Sequence, residues 1–170
     1  MILIGIGSNL AAPGFGSPQE TAEAAEAQLP AIGVAILRRS RWYLSEPVPP
    51  SDQPWYVNAV TAVETRLAPA ELLAALLALE DRFGRRRGAA NAARTLDLDL
   101  LDYNGRQCAE ARLVLPHPRL HKRRFVLAPL AEIAPEWRHP RLALTAGELL
   151  LRLPPGQTIR APGELKKPRR

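Results

Sequence analysis

The run Thr95-Leu96-Asp97-Leu98-Asp99-Leu100 places two carboxylates two positions apart in an apolar segment. Alternate side chains of a β-strand share a face, so Asp97 and Asp99 are expected to project together while the leucines enter the core. Adjacent carboxylates repel each other, and a hard divalent cation relieves that repulsion because it takes oxygen ligands. The pattern therefore predicts a magnesium site. The alternative is a solvated strand face that is acidic by composition alone.

Arginines flank this acidic pair. Residues 85–87 are all arginines in the loop that leads to the strand, and Arg94 directly precedes it. Arginine presents planar donors that match phosphate oxygens, and such donors beside a metal are typical of nucleotide phosphate binding. The spacing thus indicates a phosphate site. The alternative is a basic loop that pairs with Glu80 or Asp81 of the helix ahead of it.

A second cluster covers residues 115–125, where six of eleven side chains are basic or histidine. It lies where a predicted strand ends and a predicted helix begins, and helix starts offer free amides and a positive dipole to phosphate. His117 is the candidate donor to a phosphate oxygen, and the alternative is a structural histidine. A third cluster, residues 53–58, sets Trp55 and Tyr56 beside Asn58. Aromatic rings next to an amide suit a flat heterocycle, although they also occur at ordinary strand starts.

The elements that must position these residues follow from periodicity and from turn and cap signals. Ser17 and Glu20 form a capping box at the start of the first helix, and Asn104-Gly105 is a strong hairpin signal. The predicted strands cover residues 2–6, 34–44, 56–67 and 95–103, the hairpin returns at 113–115, and the predicted helices cover 17–29, 69–84, 119–133 and a short segment after residue 145. This order is typical of an α+β fold, the ferredoxin-like βαββαβ sandwich, with helices on one face of a largely antiparallel sheet and with an appended hairpin and C-terminal helices.

Composition sets the remaining expectations. The 170 residues carry a net charge of +6, and Cys108 is the only cysteine, which favours a reducing compartment and a cytoplasmic protein. We find no apolar stretch near the roughly 20 residues that a membrane-spanning helix needs. We expect one domain over residues 1–160 and a flexible basic tail over residues 161–170.

Taken together, these segments resemble the 6-hydroxymethyl-7,8-dihydropterin pyrophosphokinase family. The matching stretches occur in family order over about residues 2 to 137: residues 4–10, Ser40-Arg41-Trp42-Tyr43, residues 53–58, Arg94-Thr95-Leu96-Asp97-Leu98-Asp99, Leu115-Pro116-His117, Arg123-Arg124-Phe125 and residues 129–135. The chain departs from the family pattern at residues 90–93, where a basic residue and a tryptophan would be expected, and at Pro118, where an aromatic residue would be expected.

The resemblance implies roles for particular residues. Asp97 and Asp99 would hold two magnesium ions that bridge the ATP phosphates, and with Arg85 and Arg94 they form the implied catalytic set. The implied ATP contacts are Glu80, Arg85, Arg87, Arg94, Arg112, His117 and Arg123. The implied pterin contacts are Tyr56 and Phe125 on the two ring faces, Asn58 at the ring edge, and the backbone around Ser45 and Val48.

The resemblance also implies an activity. The hydroxymethyl oxygen of 6-hydroxymethyl-7,8-dihydropterin would attack the β-phosphorus of ATP, releasing AMP, in folate biosynthesis. The expected partners are these two small molecules, with no nucleic acid, no membrane and a monomeric chain. Two alternatives stay open: a degenerate homologue that binds pterin or nucleotide without turnover, and a ferredoxin-like RNA-binding module. The second would need exposed aromatics where this chain has Asp97 and Asp99.

Overall fold

A six-stranded sheet with antiparallel pairing throughout forms the centre of the molecule. The computed structural model describes residues 1–86 and 92–161. The strands are β1 (Ile2–Ser8), β2 (Val34–Arg39), β3 (Tyr43–Ser45), β4 (Tyr56–Thr65), β5 (Asp97–Tyr103), β6 (Cys108–Glu110), β7 (Leu113–Leu115) and β8 (Ile159–Arg160). The sheet order is β5-β1-β4-β3-β8, with β2 also paired to β4, while β6 and β7 form a separate hairpin.

Four helices accompany the sheet: α1 (Pro18–Ala27), α2 (Pro69–Arg82), α3 (Arg124–Ile133) and α4 (Ala146–Arg152). The predicted capping box at α1 is confirmed on one side, since the Ser17 hydroxyl accepts from the Glu20 amide at 3.1 Å. The capping box at α4 is complete, with Thr145 and Glu148 each accepting from the other's amide. These local bonds satisfy amides that a helix start leaves without partners, so the sequence could locate both helices.

Helices cover both faces of the sheet. Ile2, Ile4 and Ile6 of β1 belong to a core with α1 and α2. Leu3, in the same strand, belongs to a second core with α3 and α4. The expectation of helices on one face was therefore wrong for the C-terminal pair. The reason is visible in β1, whose seven residues are all buried, because a central strand with apolar residues on both sides needs a layer on each.

The predicted second strand, residues 34–44, is divided into β2 and β3, which pair with different parts of β4. Between them the Ser40 hydroxyl accepts from the Val60 amide at 3.0 Å, and the Ser40 amide donates to the Val60 carbonyl at 3.0 Å. A side-chain oxygen thus replaces a main-chain acceptor and lets the chain bend. The predicted helix over residues 119–133 likewise begins with a separate 3₁₀ turn, Leu120–Lys122, before α3 starts at Arg124.

Among residues 1–86 and 92–161, no helix is both long and apolar enough to cross a membrane. Three sequence predictions fall wholly or partly outside these ranges. They are Arg87, the altered loop at residues 90–93, of which only residues 92 and 93 are described, and the basic tail, of which only residue 161 is described.

Candidate active site

A cavity of about 210 Å³ opens where the ends of β1, β4 and β5 meet the start of α3. It lies on the α3 face of the sheet, because Asn58 and Asp99 are two residues from Val60 and Leu101 of the second core. Its lining residues come from the strand ends, the proline-rich segment after β3 and the basic turn before α3: Gly7, Ser45, Glu46, Pro47, Val48, Pro49, Tyr56, Asn58, Arg94, Asp97, Arg119, Lys122, Arg123 and Phe125.

Three residues in direct register cross the floor of this cavity. Gly7 of β1 pairs with Asn58 of β4 on one side and with Asp97 of β5 on the other. Because Gly7 has no side chain, the space above it is open between the amide and the carboxylate. The Asn58 amide nitrogen donates to the Ser45 hydroxyl at 2.8 Å, which fixes the orientation of this buried side chain.

Asp97 is held between two arginines. Arg85 donates to Asp97 Oδ1 at 2.8 Å, and Arg94 donates to Asp97 Oδ2 at 2.8 Å. Both arginine side chains are mostly shielded from water, so these charge-assisted bonds are stronger than exposed ion pairs. The structure therefore brings together three of the four residues that were predicted to be catalytic.

Asp99, the fourth, projects from the same face of β5 as Asp97. Arg123 donates to Asp99 Oδ2 at 3.2 Å, and His117 Nε2 lies 3.8 Å from the same oxygen. Burial raises the pKa of Asp99, and the negative charge of Asp97 raises it further. The prediction that the two carboxylates share a face of the strand is confirmed. The pKa of His117 is lowered by burial, against the opposing effect of Asp99.

Glu80 lies on α2, where it contacts Arg85 and does not line the cavity. Its side chain is 1% exposed, and it accepts from the Leu98 amide at 2.7 Å and from Arg85 at very short range. Burial raises the pKa of Glu80 to about 7. Arg85 of the basic loop thus pairs both with Glu80, as the alternative proposed, and with Asp97. A direct contact of Glu80 with ATP stays a prediction.

The five predicted pterin residues, Ser45, Val48, Tyr56, Asn58 and Phe125, all line the cavity. The Tyr56 hydroxyl donates to Gln53 Oε1 and lies within reach of the Ala92 carbonyl, each at 3.4 Å. The Arg123 guanidinium lies 5.4 Å from the centroid of the Phe125 ring, which joins the aromatic wall to the arginine that binds Asp99.

Six of the seven predicted ATP contacts are described residues. Arg94 and Arg123 line the cavity, Glu80, Arg85 and His117 lie behind the lining, and Arg112 is not placed there either. Arg112 is exposed between β6 and β7 and is not among the lining residues. Arg87 lies outside the described residues. The predicted hairpin, in which Asn104-Gly105 joins residues 95–103 to residues 113–115, is wrong: β5 pairs with β1, and β7 pairs with β6. Arg112 lies in the turn between β6 and β7, which the sequence did not predict.

Several functional candidates were missed. Glu46, Arg119 and Lys122 line the cavity, and the latter two were part of the basic cluster without being chosen. Asn9 was passed over entirely. Its side-chain oxygen accepts from the Arg94 amide at 2.8 Å, and its nitrogen donates to Gln53 Oε1 at 3.2 Å and to the Pro54 carbonyl at 3.1 Å. The signals that could have identified it were its place after the strand at Gly7-Ser8 and its presence in the matching stretch of residues 4–10.

Among residues 1–86 and 92–161, no group of three or more His, Cys, Asp or Glu side chains is arranged to hold a metal ion. Asp97 and Asp99 form a two-carboxylate donor set. That set is suited to magnesium, which commonly binds through one or two carboxylates together with water and substrate phosphates.

Comparison with known proteins agrees with this chemistry. Residues 3–135 match the family model for 7,8-dihydro-6-hydroxymethylpterin-pyrophosphokinase (HPPK). The 2-amino-4-hydroxy-6-hydroxymethyldihydropteridine pyrophosphokinase of Synechocystis is 42% identical over 149 residues, which cover 87% of this chain and 73% of that protein. The Pseudomonas aeruginosa protein of the same name is 41% identical over 142 residues, covering 82% of this chain and 83% of that protein.

A solved structure supports the fold alone. A Plasmodium falciparum HPPK-DHPS triple mutant superposes with a TM-score of 0.66 at 12% identity, and the match covers 88% of this chain but 43% of that chain. The family match, which extends over more than half of the residues, does not depend on it. This chain belongs to the 7,8-dihydro-6-hydroxymethylpterin-pyrophosphokinase family.

Proposed function

We propose that the chain transfers diphosphate from ATP to the hydroxymethyl group of 6-hydroxymethyl-7,8-dihydropterin, giving AMP and the pterin diphosphate for folate biosynthesis. The observation that carries the proposal is the register of Asn58, Gly7 and Asp97. This register puts an amide suited to a heterocycle and a carboxylate suited to a metal on one cavity floor. The family membership supports the same reaction.

The pterin occupies the Asn58 side of the cavity. Asn58, oriented by Ser45, offers donor and acceptor groups to the ring edge, as a pterin requires. Tyr56 and Phe125 supply aromatic surface beside it, and Val48 comes from the proline-rich wall. A ring held in this way directs its hydroxymethyl group across Gly7 toward Asp97.

The ATP phosphates occupy the Asp97 side. Asp97 and Asp99 would hold magnesium, as two ions, and the metal would neutralise phosphate charge and align the phosphates. Arg85, Arg94 and Arg123, which now donate to the two carboxylates, are placed to donate to phosphate oxygens beside them. Glu80 acts by holding Arg85 in position.

The reaction forms one bond and breaks another. The pterin hydroxymethyl oxygen bonds to the β-phosphorus, the bond from that phosphorus to the oxygen shared with the α-phosphate breaks, and AMP leaves with that oxygen and its electron pair. The hydroxyl proton passes to water. Positioning and charge neutralisation supply most of the catalysis in such phosphoryl transfers, so the arginines and the cavity shape carry it.

We also propose the ferredoxin-like arrangement for the sheet and the first two helices. It is supported by the order β5-β1-β4 followed by β2 and β3, with antiparallel pairing throughout. Residues 1–160 act as one domain with a basic tail over 161–170. We propose in addition that the chain works as a monomer in the cytoplasm; its single cysteine, Cys108, favours a reducing compartment.

The test is AMP release by the purified chain with ATP, magnesium and 6-hydroxymethyl-7,8-dihydropterin, with a chelator control. Magnesium-dependent AMP formed in step with pterin diphosphate is the expected result. A protein that binds the pterin but releases no AMP would instead support the degenerate homologue. Binding of single-stranded RNA without pterin affinity would support the RNA-binding alternative.

A further inference from the structure

Gln157 makes two hydrogen bonds to main-chain groups on either side of Arg123. Its side-chain oxygen accepts from the Arg124 amide at 2.7 Å, and its side-chain nitrogen donates to the Lys122 carbonyl at 2.8 Å. The side-chain amide of Gln157 thus both donates to and accepts from the main chain where the 3₁₀ turn meets α3. Lys122, Arg123 and Phe125, which all line the cavity, come from this part of the chain.

The start of α3 explains why these bonds matter. Arg123 occupies the N-cap position, and its side chain makes no capping bond. The first amides of a helix have no partner within it, and a capping side chain normally supplies one. Here Gln157, 33 residues along the chain, supplies that acceptor to the first residue of the helix.

The residues that follow Gln157 attach to the opposite wall. In β8, Ile159 pairs with Ser45 and Arg160 pairs with Leu44 of β3, while the Glu46 amide donates to the Thr158 carbonyl at 3.3 Å. The Arg160 guanidinium lies 4.6 Å from the centroid of the Trp55 ring, next to Tyr56. Four consecutive residues, 157–160, therefore connect the α3 side of the cavity to the β3 side.

We propose that residues 157–160 act as a staple across the substrate cavity and that Gln157 is a positioning residue for Arg123 and Phe125. The assignment of the cavity as a pterin site rests on the proposed function, whereas the staple itself rests on the contacts of residues 157–160 with the two walls. Tyr43 and Glu132 also connect α3 to β3, farther from the cavity. Without the staple, the Phe125 wall and the Ser45–Val48 wall lose their connection at the cavity itself, and a flat ring is held less closely between them.

A double-mutant cycle tests the staple. Gln157→Ala breaks its α3 end and Arg160→Ala loosens its β3 end, while Gln19→Ala, at an exposed glutamine of α1, is the matched control. Pterin affinity is measured by calorimetry well below the thermal transition. We expect each of the first two variants to weaken pterin binding about tenfold, with the control unchanged. Because the two ends act through one segment, the double variant should bind the pterin about as tightly as the weaker-binding single variant.

Hydrogen exchange gives a readout that does not depend on the function. Gln157→Ala should speed exchange of the Arg124 amide, which loses its acceptor, and of the amides at residues 45–48 across the cavity. Faster exchange at Arg124 alone, or effects on pterin affinity that multiply in the double variant, would overturn the staple. If the wild-type chain binds no pterin at all, the proposed function fails and the exchange experiment still decides the staple.

Discussion

Asn58 and Asp97 pair with the same residue, Gly7, from opposite sides of β1. Two strand spacings therefore separate them, about 10 Å between their backbones. Their side chains point to the same face, and no side chain stands between them. The relationship defines how a heterocycle and a metal-bound phosphate chain would share one cavity.

Gly7→Ala should weaken pterin binding about tenfold while leaving stability nearly unchanged. A Cβ built at Gly7 would meet Asn58 Oδ1 at 3.5 Å and Asp97 Cβ at 3.8 Å, which are ordinary van der Waals contacts. The methyl group therefore fits the protein but occupies the cavity floor. Calorimetric titration with the pterin measures the effect.

The matched control is Gly5→Ala, two residues earlier on the same face of β1. Its Cβ would meet only the Leu101 side chain among its nearest neighbours, at 3.4 Å, away from the cavity lining. Pterin affinity should be unchanged. Equal losses in both variants would mean that the strand, and not the cavity floor, is responsible.

Asp97→Asn and Asp99→Asn should each lower kcat/KM by about 10³-fold or more, because each removes a charged oxygen ligand for magnesium. The fold should persist, since neither side chain belongs to either core: Asp97 lines the cavity, and Asp99 is partly exposed beside Arg123. Steady-state AMP formation across a magnesium titration measures the change, with the exposed Asp52→Asn as control. Wild-type turnover in either cavity variant would refute the metal assignment.

Asn58→Ala should weaken pterin binding by about 1 to 3 kcal/mol, the cost of leaving a buried polar partner unpaired, with little change in ATP affinity. Separate titrations with the pterin and with a non-hydrolysable ATP analogue measure both. Ser45→Ala removes only the group that orients Asn58, so its effect should be smaller. A loss confined to the nucleotide would mean that the two subsites are exchanged.

Asn9→Ala should destabilise the protein by about 2 to 3 kcal/mol, since it leaves the Arg94 amide and the Pro54 carbonyl without their partner. It should also lower turnover, because Asn9 connects the segment of Arg94 to the segment that precedes Tyr56. Urea denaturation and AMP release measure the two effects. Ser8→Ala, which removes a single hydrogen bond to the Leu10 carbonyl, should lower the free energy of unfolding by about 1 kcal/mol.

His139 should make stability fall with acidification. Burial, together with smaller effects of His121 and Arg141, lowers its pKa from 6.5 to about 4. Its Nδ1 accepts from the Arg141 and Leu142 amides, so the native ring is neutral. Between pH 6.5 and about pH 4 the unfolded chain binds a proton that the folded chain does not. As the pH falls through that window, the free energy of unfolding therefore decreases by about 3 kcal/mol, and above pH 6.5 this contribution of His139 is fully present.

His139→Asn keeps a side-chain acceptor for those amides but cannot titrate. Urea denaturation at about pH 7 and about pH 5 should show a smaller loss for this variant than for the wild type. The carboxylates titrate equally in both proteins, so the difference isolates the histidine. Parallel losses in the two proteins would remove His139 as the cause.

Much of the chemistry was predictable because its cause is local. The pleat of a strand repeats every two residues, so the spacing of Asp97 and Asp99 places them on one face wherever β5 lies. The capping boxes at Ser17 and Thr145 involve residues three apart and could locate two helices. Tyr56 and Asn58 gave a weak local signal as an aromatic ring beside an amide, whereas Ser45, Val48 and Phe125 could be chosen only through the family resemblance.

The tertiary structure decided which distant groups support that chemistry. Asn9 accepts from the Arg94 amide, 85 residues away in the sequence, and Glu80 accepts from the Leu98 amide, 18 residues away. Gln157 accepts from the first amide of α3, 33 residues away. It also placed α3 and α4 on the second face of the sheet and left Arg112 away from the cavity. These contacts depend on strand register and on the packing of helices against both faces. Neither of these is encoded within one element. The sequence alone therefore determined that Asp97 and Asp99 share a face, and only the folded chain determined which distant residues support them.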